Sequence, residues 1–92
     1  MSLTTFPVPA PRSSLMVRRR IATYFVGGVE QIPGLVDALA RHGRLVHDLS
    51  VDVRDGVRES TMTCALLVEE AEVEALLARL RELPAVVSSE LV

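Results

Sequence analysis

Residues 31–53 read QIPGLVDALARHGRLVHDLSVDV, and the fold class follows from the change of period in the middle of that stretch. Ile32, Leu35, Val36 and Leu39 recur at spacings of three and four, which predicts a helix of about ten residues with one buried stripe. Pro33 suits the first turn, where its missing N–H costs nothing, and Gly43 suits the position just past the last turn. From Leu45 to Val53 the period falls to two. Leu45, His47, Leu49, Val51 and Val53 share one side, with Val46, Asp48, Ser50 and Asp52 on the other. That alternation predicts a strand with one wet face. Asp55-Gly56 then supplies a hairpin turn, and the second arm, 57–68, carries Met62, Cys64, Leu66 and Val68 on one face.

The same reading extends outward in both directions. Residues 18–26, RRRIATYFV, form a β-rich run with Ile21, Thr23 and Phe25 on one face and Ala22, Tyr24 and Val26 on the other. Both faces are fairly apolar, as a central strand requires, and Gly27-Gly28 ends it. Residues 69–83 predict a second helix, with Val73, Leu76, Leu77, Leu80 and Leu83 as its stripe. Four glutamates crowd its first turns, and Arg79 and Arg81 sit near its end, complementing the helix dipole. Pro84 stops it, and residues 85–91 give a last strand. The order βαββαβ predicts an α+β, ferredoxin-like domain over residues 18–92, with a four-stranded antiparallel sheet and two helices on one face. Residues 1–16, which include Pro7, Pro9 and Pro11, are expected to form a disordered, extended tail. The 45–53 strand falls on a sheet edge and carries neither Pro nor Lys. A small domain with so poorly defended an edge is expected to pair it with a second copy, as a homodimer.

Composition narrows the function classes. The 92 residues give room for one domain, and its 49% hydrophobic share is almost wholly aliphatic, since aromatics make up 3% and Trp is absent. All ten basic residues are arginines, set against twelve acidic ones, for a net charge of −2. That balance argues against a nucleic-acid surface. A single cysteine, Cys64, excludes an internal disulfide and a Cys-based zinc site, and suits a reduced, cytoplasmic setting. No apolar run approaches the roughly 20 residues that span a bilayer, so no membrane partner is expected.

Catalytic patterns are weak. His42 and His47 have no Cys or carboxylate at ligand spacing, and a helix-end His is more often a dipole partner. Asp48 and Asp52 are four residues apart on one strand, about 13 Å, too far for a dyad. Gly27-Gly28 lacks the Lys and Ser/Thr of a phosphate loop, and no cofactor pattern occurs. The run Arg18-Arg19-Arg20 reads as a solvated strand start. A non-enzyme is expected, without metal or cofactor.

One segment rises above that background. Gln31-Ile32-Pro33-Gly34-Leu35 joins an amide side chain to a helix N-terminus, where free N–H groups hold a carboxylate and the missing Cβ of Gly34 lets a ligand approach. The string resembles the ACT-domain signature of a polar residue, two further positions, then Gly and an apolar run. More narrowly, residues 31–51 resemble the opening of the acetolactate synthase regulatory subunit in its short, single-ACT form. Ser60-Thr61-Met62-Thr63 and residues 80–87 are similar to its later motifs. Gln31 stands where that family has Asn, Leu45 where its strand has Asn, Asp48 where it has Ser, and Thr61 where it has Arg. The resemblance implies a small amino acid bound at a dimer interface by Gln31, Ile32, Gly34 and Leu35, with Leu45 and Val46 closing the site. It also implies a separate catalytic subunit, regulated by this chain. The alternative is a ligand-free ACT-like assembly domain, an accessory of a larger protein. A small ferredoxin-like enzyme of the acylphosphatase type fits poorly, because the chain contains no Asn.

Overall fold

A computed structural model describes residues 15–54 and 58–92. The first strand, β1 (Met16–Phe25), leads through a 3-10 turn (Val29–Gln31) into helix α1 (Ile32–His42), and strand β2 (Arg44–Asp52) follows at once. Strand β3 (Ser60–Glu69), a second 3-10 turn (Glu70–Glu72), helix α2 (Val73–Arg81) and strand β4 (Val86–Leu91) complete the order. The strands pair antiparallel in the order β2-β3-β1-β4, the ferredoxin-like arrangement with β1 and β3 at its centre. The Asp55-Gly56 turn and the tail up to residue 14 lie outside the described residues. β1 begins at Met16, two residues earlier than the sequence predicts, because its first residues pair with the far end of β3, Met16 opposite Glu69.

One apolar layer lies between the sheet and the helices. Ile21 and Phe25 from β1 and Met62, Cys64, Leu66 and Val68 from β3 meet Leu35, Ala38 and Leu39 of α1 and Val73, Leu76, Leu77 and Leu80 of α2. In the second stripe Val73, Leu76, Leu77 and Leu80 are buried as predicted. Helix α2 is nevertheless shorter than the predicted 69–83, since Glu70–Glu72 form a 3-10 turn and Leu83 packs only partly on the core two residues past its end. The first stripe is rotated: Ala38 is buried, whereas Val36 remains 37% exposed on the flank of α1. Leu35, Ala38 and Leu39 surround one direction of the helix, and Val36 lies about 100° from Leu35. Gly43 departs from its expected role too. Its φ of −108° is extended rather than left-handed. It is a glycine for want of room, because a Cβ there would run into Cδ1 of the buried Leu66. Two polar side chains inside this layer satisfy each other, the Thr23 and Ser89 hydroxyls lying 2.9 Å apart across the β1–β4 ladder.

The edge strand β2 breaks the predicted alternation. Arg44 pairs with Leu67, His47 with Ala65 and Ser50 with Thr63, so β2 advances three residues for every two on β3. Each extra residue forms a bulge, and Leu45 and Asp48 take up the strain with φ of 50° and 53°. His47 therefore lies on the open face with Ser50, whose hydroxyl is 2.9 Å from that of Thr63. Val51, opposite Met62, packs on the core. His47 and Val51 do not share a side. Nor is the edge the flat ladder that the sequence suggests, since twin bulges are themselves a defence against open-ended strand addition.

Candidate functional site

The turn between β1 and α1 is held from several sides. Gly27 has φ of 106°, a conformation that L side chains rarely adopt, and this lets the chain leave β1 sharply. Ser60 Oγ accepts the Arg54 N–H at 2.9 Å and reaches back to the Gly27 carbonyl at 3.4 Å. The Glu30 carboxylate accepts the Gly28 N–H at 3.0 Å, and this bond, with help from its own backbone N–H, holds its pKa below the usual carboxylate value. Sequence reasoning passed over Glu30, although an acidic residue two positions past a Gly-Gly pair is the signal that would have found it. The helix start also offers fewer free donors than its sequence suggests. The Gln31 N–H goes to the Gly28 carbonyl at 3.0 Å, the Ile32 N–H goes to Val29, and Pro33 has none.

The six candidate residues separate into two groups. Gln31, Ile32, Gly34 and Leu35 belong to the N-terminal end of α1. Gln31 and Ile32 are half-buried and Leu35 is a core residue. Gly34 opens onto a groove between the helices, of about 320 Å³, shared with Asp37, Ala38, Arg41, Arg79 and Leu83. A Cβ on Gly34 would meet nothing within 4 Å. Leu45 and Val46 lie at the start of β2, one residue past the connection from the other end of α1, so a helix length of about 15 Å separates the groups within one chain. Val46 packs against the core, and Leu45 is 71% exposed. Together with Leu67, Arg18 and His47 they line an apolar cleft of about 330 Å³.

The remaining chemistry-bearing side chains are distributed as follows. Burial pushes the Cys64 thiol up, only partly opposed by the charge of Arg20, which keeps it protonated at neutral pH. A depression of about 350 Å³ on the open face of the sheet is lined by the Arg18–Arg20 run together with His47, Asp48, Ala65 and Val92. The sequence gives no hint of it, since the two bulges that bring His47 and Asp48 there are invisible in an alternating pattern. Among the described residues no group of three His, Cys, Asp or Glu side chains could hold a metal ion, and no helix is long and apolar enough to cross a membrane. No family model matches the chain, and no curated protein matches it.

Proposed function

We propose that this chain is a non-catalytic, ACT-like regulatory subunit. It pairs with a second copy along the β2 edge and binds a small amino acid between copies. In doing so it modulates an amino-acid biosynthetic enzyme such as acetolactate synthase. The observation that carries this reading is Leu45. An exposed leucine in the left-handed region bears two costs, the hydration of its apolar surface and about 1–2 kcal/mol of backbone strain. Within the chain the His47 ring braces the Leu45 carbonyl at 2.7 Å, but the leucine side chain stays largely uncovered by the described residues, and a second copy would cover it. Leu49 on the same strand, Val53 just past its end and Val36 on α1 are exposed as well. A two-fold antiparallel pairing also sets the Gln31–Gly34 end of one copy beside the Leu45–Val46 end of the other. The two groups that stand apart in one chain would then form one site, with an amide at one wall and aliphatic side chains at the other.

The test is a thermal-shift series with the twenty amino acids, run on wild type and on Leu45→Asn. A ligand at 100 times its dissociation constant adds about 2.7 kcal/mol to stability. At least one amino acid should raise the wild-type midpoint, and the variant should lose that response. A second reading, a ligand-free assembly domain, is favoured by the carboxylate of Glu30, which already fills an anion position at the turn. It predicts pairing in solution with no response to any amino acid.

A further inference from the structure

The open face of the sheet carries a feature for which the proposed function has no use. β3 places the almost fully buried Ala65 in a row between Arg20 of β1 and His47 of β2. Neighbouring strands are about 4.8 Å apart, so the two outer backbones stand about 10 Å apart with only a methyl group between them. That gap is the floor of the 350 Å³ depression. Arg20 reaches Asp48 at 3.5 Å and Arg19 is drawn to Glu70 at 3.7 Å, whereas Arg18 has no carboxylate partner among the described residues. The His47 Nδ1 donates to the Leu45 carbonyl at 2.7 Å, which fixes the ring as part of the rim. The twin bulges create this arrangement, since they bring His47 opposite Ala65 and Asp48 within reach of Arg20.

We propose that this depression binds a small oxyanion, the carboxylate or phosphate group of a metabolite. Guanidinium groups match the geometry of such an anion with paired donors, and the arginines lining this depression stand around a floor too small to exclude it. Asp48 holds Arg20 while the site is empty and gives it up when a stronger acceptor arrives. The site lies within a single chain; it shares Arg18 and His47 with the Leu45–Val46 cleft, whereas Arg20, Asp48 and Ala65 line only the depression. The experiment is a titration of the full chain, followed by amide and arginine side-chain NMR, with inorganic phosphate and separately with acetate, at an ionic strength fixed with chloride. Saturable shifts centred on Arg18, Arg20, His47 and Ala65 are expected, and the anion with the tighter isotherm identifies the oxyanion class. Arg18→Gln should weaken binding about tenfold, the worth of one charge-assisted hydrogen bond. Asp48→Asn, which keeps a residue that tolerates positive φ, should tighten it by removing the competing carboxylate. Ala65→Leu fills the floor without touching a charge and should abolish it. The proposal is overturned if neither anion shifts these signals. It is equally overturned if the shifts are unsaturable and spread over all arginines, or if Ala65→Leu binds as wild type does.

Discussion

A methyl group added at Gly34 would meet nothing within 4 Å, whereas one added at Gly43 would strike the side chain of Leu66 in the core. Gly34→Ala should therefore stabilise the fold by about 0.5–1 kcal/mol, through the entropy of the unfolded chain and better helix propensity. Gly43→Ala should cost about 1–3 kcal/mol by overpacking, and chemical denaturation of the two variants would read both signs. The buried hydroxyl pair gives a second prediction at this scale. Thr23→Val leaves the Ser89 hydroxyl without that partner and should cost about 1–3 kcal/mol, while Thr23→Val combined with Ser89→Ala should recover much of the loss. Glu30 gives a pH dependence whose sign is fixed by its lowered pKa. Its contribution is present above the ordinary carboxylate pKa and is lost as pH falls through the depressed folded value. The stability difference between wild type and Glu30→Gln should thus be full near neutrality and fade as the pH falls through the ordinary carboxylate range and below it. A difference that persists unchanged at the acid end would mean that the Glu30–Gly28 bond does not form in solution.

At the scale of the element, α2 offers the firmest prediction. Leu77 is 2% exposed in the middle of its stripe, and Leu77→Ala should cost about 2–5 kcal/mol in a denaturant titration. A loss below about 0.5 kcal/mol would mean that this helix turns a different face to the sheet. The two helices also show what the amino-acid sequence makes legible. In α2 the stripe residues Val73, Leu76, Leu77 and Leu80 all face the core, so periodicity alone finds them. In α1 the small Ala38 takes a core position next to α2, and Val36 is left on the flank, because the apolar arc is wider than the buried one. β2 is legible as a strand and as an edge, yet its facing is not. Bulges at Leu45 and Asp48 sit at non-glycine residues, where no turn chemistry announces them. The candidate site inherits both limits. The turn at Gln31–Gly34 is where its sequence puts it, but the donors there are largely consumed by a 3-10 turn that the Pro-Gly pair does not reveal.

For the molecule as a whole, the question is what covers the β2 flank, where Leu45, Leu49 and Val53 are exposed, and Val36 on α1. A domain this small buries only about 60–65% of its unfolded surface, so an uncovered flank removes stabilisation that the fold can hardly spare. The bulges argue against an open-ended ladder, and with it against fibre-like addition, since only the regular pairs at Ser50, Val51 and Asp52 keep an unbroken register. A closed two-fold dimer would meet both conditions, because each copy would cover the other's flank and the β2 edges would be used up on each other, leaving only the short β4 strands at the outside. Light scattering at micromolar concentration should then give twice the monomer mass, and the unfolding midpoint should fall on dilution, as mass action requires when only the paired state is folded tightly. Leu49→Arg places a charge on the flank, away from the core, and so should yield a monomer with native secondary structure and a midpoint that no longer depends on concentration. A wild-type chain that remains monomeric up to about 1 mM, an affinity of only about −4 kcal/mol, would remove the self-pairing and leave the flank to a different protein.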